Sequence, residues 1–245
     1  MIAGFRRIPF LLVAASLGLH AQTPAANEPA STPVAPPPSL PNESSTAPTD
    51  PAVPQLKKAY EALTKKDLDG ALTIVDQAVK DNPKSFASLT LRGMIYSQKK
   101  QWTSAEADFG AALAIDPTNV VVKFNLGEIK FVQKDYDAAR ARFQPLTADP
   151  VMGDFAAYKV FLCDLFGGHE DVAKKELDVF NVAESHPSYY FGNAAWSLYH
   201  KNTEDARSWL TSAGNIYQPS KNQFYAASLK DLGYLPLPAP PNPSN

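Results

Sequence analysis

Four histidines, one cysteine and scattered carboxylates make up the chain's repertoire for chemistry. His169, His186 and His200 lie in its body, and none keeps a metal-ligand spacing with another histidine, with Cys163 or with a repeated carboxylate. Zinc needs several such ligands converging. His169 precedes Glu170-Asp171, His186 precedes Pro187 and His200 falls near a helix end, so all three read as solvated turn positions. The paired acids Asp67/Asp69 and Asp135/Asp137 are of the type used in general acid and base catalysis. They stand, however, at matching points just before helices, where an acid caps the helix and complements its dipole. No Gly-rich phosphate loop, Gly-x-Ser-x-Gly elbow or His-Glu-x-x-His is present. Gly167-Gly168 reads as a turn between helices. Cys163, inside Val160-Phe161-Leu162-Cys163, reads as a small buried hydrophobe. The expectation is a chain without catalytic residues, metal or cofactor.

A single cysteine excludes an intrachain disulfide, so packing must hold the fold. The elements that do so start late. Arg6 and Arg7, an apolar run from Ile8 to Leu19 and the small Ala21 predict a secretory signal over residues 1–21, or an uncleaved N-terminal anchor. The run is shorter than the roughly 20 residues a membrane span requires, and no second such run follows, so no stable membrane insertion is expected after cleavage. Residues 22–54 are rich in Pro, Ala, Ser and Thr, lack lysine and arginine, and predict a disordered linker. Residues 55–234 carry helical periodicity, and 235–245 form a Pro-rich tail. Loss of Arg6 and Arg7 takes the formal charge from −2 to −4, and the paired lysines are interspersed with acids, so nucleic acid is not an expected partner.

Within 55–234 the pattern repeats every 34 residues. Leu68, Trp102 and Tyr136 keep that spacing, as do Ala71, Ala105 and Ala139; Val75, Phe109 and Phe143; and Ala59, Gly93 and Gly127. Pro83 and Pro117 close successive units. Small residues allow two helices to approach closely, larger ones fill the space between hairpins, and proline stops the second helix. Pro145 falls inside the second helix of the third unit and should kink or end it. Two further hairpins, from Asp154 to Ser185 and from Pro187 to Gln218, are predicted, with a last helix around Asn222 to Leu232.

These columns resemble the tetratricopeptide repeat family, most clearly from Phe86 to Pro117 through Arg92-Gly93, Tyr96, Ala105, Phe109 and Ala112, and next through Leu126-Gly127, Asp135-Tyr136, Ala139 and Phe143. The resemblance implies an all-α, right-handed solenoid of about five helical hairpins, with the last helix capping the end of the stack. It also implies that first helices line an inner groove that receives a protein or peptide partner. Its helix phase assigns Tyr60, Thr90, Met94, Phe124, Asn125, Glu128, Phe131, Tyr158, Leu162 and Phe191 to that groove. Asn125 matches one position of the clamp by which some members hold a terminal carboxylate, whereas Leu56 and Tyr60 replace polar clamp residues. The mainly apolar lining either faces a partner or packs first helices together. A second candidate surface is the aromatic group Tyr189, Tyr190, Phe191, Trp196 and Tyr199.

The expected role is a non-catalytic interaction scaffold, periplasmic or secreted. An accessory part in cell-wall or glycan processing, and a structural spacer held by an uncleaved anchor, are the alternatives. The sequence carries no signal for oligomeric state.

Overall fold

Each hairpin turns on a single residue in the left-handed region: Lys66 (φ 62°), Lys100 (60°), Lys134 (63°), Gly168 (91°) and Lys201 (63°). The first four are 34 residues apart. The N–H of the following residue donates back to the carbonyl five residues earlier in every case: Asp67 to Ala62, Gln101 to Tyr96, Asp135 to Lys130, His169 to Asp164 and Asn202 to Ser197, at 2.8–3.0 Å. This satisfies the orphan carbonyls of the first helix. The same residue then opens the second helix. Asp67 accepts from the Gly70 N–H at 2.8 Å and Asp135 from Ala138 at 3.3 Å, so these two acids are caps, as their spacing predicts, and the amide of Asn202 caps in the same way, accepting from Asp205 at 3.2 Å.

The computed structural model describes residues 53–182 and 186–237. The predicted signal, the linker up to residue 52 and the tail from 238 onward lie outside the described residues. The first helices are α1 (Val53–Thr64), α3 (Phe86–Gln98), α5 (Val120–Val132), α7 (Gly153–Gly167) and α9 (Pro187–Tyr199). Their second helices are α2 (Leu68–Asp81), α4 (Trp102–Ile115), α6 (Tyr136–Phe143), α8 (Glu170–Val182) and α10 (Thr203–Ile216), with α11 (Pro219–Asp231) following. Five hairpins and a C-terminal helix are thus what the repeat predicts. No strand occurs among the described residues, and none of the described helices is long and apolar enough to cross a membrane. Pro145 ends α6 early, and residues Gln144–Leu146 form a 3-10 turn.

The repeat columns meet as small against large. Ala59, Ala71, Ala105 and Ala139 are fully buried. A Cβ on Gly93 would lie 2.8 Å from Cε1 of Phe109, and one on Gly127 only 2.6 Å from Cε1 of Phe143. The phenylalanines therefore press on the first helix of their own hairpin as well as filling space toward the next. One guanidinium ties three helices together: Arg92 of α3 donates twice to Asp108 of α4 at 2.8 Å and once to Asp76 of α2 at 3.1 Å. Both partners hold Arg92 well above its usual range, against the cost of burial. Arg140 of α6 shares its Nε–H between the two carboxylate oxygens of Asp164 of α7, at 2.9 and 2.7 Å.

The core is uneven along the stack. Two smaller apolar clusters serve α1 to α3 and α2 to α5, while one large cluster runs from α5 to α11. The C-terminal helix does not simply close the end of the stack. Tyr225 of α11 sits with its ring centroid 5.1 Å from Phe155, 5.1 Å from Tyr158 and 5.5 Å from Phe191, so α11 lies across the first helices α7 and α9.

Candidate partner-binding groove

The ten groove candidates fall on first helices, but the structure does not gather them into one open surface. Tyr60 and Thr90 are half-buried; Met94, Phe124, Asn125, Glu128, Phe131, Tyr158, Leu162 and Phe191 are buried. Tyr60 packs on the first apolar cluster and Met94 belongs to the second. Phe124, Phe131, Tyr158, Leu162 and Phe191 share the large C-terminal cluster. Phe124 lies 4.9 Å from the Phe143 ring and stacks at 5.1 Å on Phe155. The packing is dense because α7 is apolar nearly all round, a pattern that belongs to a helix covered on every side.

The aromatic group near the C-terminus divides three ways. Tyr189 and Tyr190 meet Trp209 of α10 at 5.4 and 6.3 Å, Phe191 turns inward to Tyr225, and Trp196 and Tyr199 lie against His200. The histidines also separate: His169 faces Asp164 at 3.3 Å, His186 faces Asp154 at 2.7 Å and His200 faces Glu170 at 2.9 Å. Cys163 is buried, which pushes its thiol far up.

Between α5 and α7 lies a charge group absent from the candidate set except for Glu128. Lys159 Nζ of α7 and Glu128 Oε1 of α5 form an ion pair at 2.7 Å that lacks hydrogen-bond geometry, and both side chains are essentially inaccessible (0% and 2% exposed). The Lys159 ammonium also stands 3.9 Å over the Phe131 ring. Burial pushes the Glu128 carboxyl up and Lys159 pulls it back. Asp231, at the end of α11, shares this environment: burial raises its carboxyl to about 7, Lys159 lowers it and Glu128 raises it further. Neither oxygen of Asp231 and neither amide atom of Asn125 finds a hydrogen-bond partner among the described residues. One signal in the sequence could have flagged Lys159. It and Asp164 are the only charges in the run from Phe155 to Phe166, so a helix apolar on all sides must bury both.

Stacked helical hairpins with closely crossing first and second helices, joined by a repeated left-handed turn, define a helical-repeat solenoid. Residues 96–158 match the tetratricopeptide repeat family model. Among curated proteins, the BBSome complex member BBS4 of Bos taurus is 32% identical over 82 residues, which cover 34% of this chain. The match spans 16% of that protein's length. Among solved structures, PilW, a widely conserved type IV pilus biogenesis factor, is similar with a TM-score of 0.54 and 21% identity, covering 74% of this chain and 86% of that one. YrrB, a tetratricopeptide repeat protein with an unusual peptide-binding site, gives 0.48 and 19% over 74% of this chain and 93% of that one. MamA gives 0.49 and 18% over 71% and 94%. At these identities the likeness to solved structures is one of fold.

Proposed function

We propose that the chain is an exported, non-catalytic scaffold of the cell envelope or exterior that holds a polypeptide partner on the face formed by its first helices. The observation that carries this reading is the seat of α11. A helix of this chain lies across α7 and α9 with an aromatic side chain, Tyr225, inserted among Phe155, Tyr158 and Phe191. This is the geometry by which grooves receive helical segments of other proteins, through anchors on one helical face. Export rests on the Arg6-Arg7, Ile8–Leu19 and Ala21 pattern, and the Pro-rich segment supplies reach from the site of attachment or release.

The test is crosslinked capture from the envelope fraction and medium of the native organism, with and without excess synthetic peptide of residues 219–237. A polypeptide that is captured, and displaced by the peptide but not by a scrambled version, supports the reading. Capture that the peptide leaves unchanged moves the binding surface away from this face. Absence of any captured polypeptide, from cells shown to contain the protein, overturns the scaffold role.

A further inference from the structure

The second helices differ in what they show to solvent. α2, α6, α8 and α10 all expose charged side chains, such as Asp69 and Lys80 on α2 and Glu204 and Asp205 on α10. The exposed face of α4 carries none: it runs through Thr103, Ala107, Gly110, Ala111, Ala114 and Ile115. The core does not require this, because α4 packs inward through Ala105, Asp108, Phe109 and Ala112. Two of the outer residues have no account within one copy. Ile115 is 44% exposed. Gly110 weakens an exposed helix, yet a Cβ there would meet nothing within 4 Å. A glycine at such a point lets another backbone come close.

We propose that two copies of the chain pair through this face, α4 crossing α4 of a second copy antiparallel about a two-fold axis near its middle. The charges at its two ends select that occupant and that direction. Lys100 stands exposed in the turn before α4, and Asp116, half-exposed, follows its last residue. Bonds from Thr118 and Asn119 hold the Asp116 carboxyl below its usual range, so it stays charged. The two charges lie about equally far from the middle of the helix. An antiparallel pairing sets each Lys100 at the Asp116 end of the other copy and opposes the helix dipoles, whereas a parallel one sets like charge against like. The same operation brings Ala107 against Gly110 and Thr103 against Ala114, residues small enough for the short end of interaxial distances of about 8–10 Å. Such a contact is isologous, one patch used by both copies. A single helix face is small beside the roughly 1,200–2,000 Å² of stable interfaces, so the dimer is weak and depends on concentration. The paired face points away from α3, and the inference does not depend on what the first-helix face holds.

Sedimentation velocity of the full chain, from micromolar to millimolar concentration, tests this with three variants whose folding is checked by circular dichroism and urea unfolding. The wild type should pass from monomer to dimer as concentration rises. Ala107→Glu places a charge on each side of the axis, at a position exposed in the monomer, and should weaken the dimer at least tenfold. Lys100→Asn keeps the left-handed turn while removing both end pairs, and should weaken the dimer severalfold and reduce its sensitivity to salt. Gly110→Ala should act oppositely on the two equilibria, giving a more stable monomer and a weaker dimer; a role confined to the monomer would move only the first. The proposal is overturned if the wild type stays monomeric throughout, if its dimer is indifferent to Ala107→Glu, or if Lys100→Asn leaves both the dimer and its salt response unchanged. A monomeric wild type that loses a captured envelope polypeptide on Ala107→Glu would give the face to that polypeptide and likewise overturn the second copy.

Discussion

Replacing Lys159 by methionine tests the buried charge group directly. In the wild type the ammonium is fully enclosed, 2.7 Å from the Glu128 carboxylate and 3.9 Å above Phe131. Methionine keeps most of the side-chain volume, so the packing change is small. What remains is a carboxylate with 2% exposure and no counter-charge, and breaking a buried pair in this way costs about 3–5 kcal/mol. The double variant Glu128→Leu, Lys159→Met removes both charges and should lie within about 1 kcal/mol of the wild type or above it. The sign of the pH dependence follows from the same geometry. Without Lys159 nothing opposes the burial that raises the Glu128 carboxyl. The folded variant then holds that proton to higher pH than the unfolded chain does, and its deficit shrinks as pH falls. Urea unfolding of the wild type, both single variants and the double variant, at pH 5 and pH 8, closes the cycle. The reasoning is refuted if Lys159→Met costs under about 1 kcal/mol at pH 8, if its deficit is the same at both pH values, or if the double variant is as unstable as the single.

Gly93→Ala and Gly127→Ala drive a methyl into Phe109 and Phe143 and should each cost about 1–3 kcal/mol by chemical denaturation. Gly110→Ala and Gly214→Ala place it on exposed helix faces with nothing within 4 Å and should instead stabilise by about 0.5–1 kcal/mol. Lys134→Gly relieves a left-handed lysine in an exposed turn and should gain about 0.5–1 kcal/mol; a loss would show that the lysine side chain holds the turn. The thermal midpoint should fall as pH rises from 5 to 8. Asp231 and Glu176 are both raised to about 7 by burial, Glu176 also by repulsion from Asp164, so the stabilising protons they hold are lost between about pH 4 and 7. His200, raised by its bond to the Trp196 carbonyl and by Glu170, acts in the same direction, its contribution present below about pH 6.5 and lost above. Asp231→Asn with Glu176→Gln should flatten the profile, and a midpoint that climbs over this range would refute the assignment.

The hairpins were legible because side chains at helix crossings recur every 34 residues and proline and glycine mark the breaks. The turns were less so. Gly168 announces its left-handed conformation, whereas Lys66, Lys100, Lys134 and Lys201 adopt it through their neighbours' hydrogen bonds, which composition does not reveal. The family's helix phase placed the ten candidates on the first helices, but exposure there depends on what lies above them. The face of α11 that is buried carries Tyr225, Ser228 and Leu229. Nothing local says whether that face meets the end of α10 or the sides of α7 and α9. Lys159 escaped because a lysine in a helix is ordinarily read as solvated, and its burial follows only from the apolar residues on every side of it.

The unequal division of the core also governs how the chain would behave under tension. Hairpin α1–α2 is held by a small cluster with one neighbour, whereas α5 through α11 share a single large one. A pull applied through the segment preceding Val53 meets the weakest joint first. The repeats should detach from that end one at a time, each releasing about 34 residues, or roughly 110–120 Å of extended chain. The block from α5 onward should yield last and in one event, since its helices have no separate cores to lose. In a single-molecule trace the protein would pay out length in even steps before a final large one, an extensible lead in front of a fixed end.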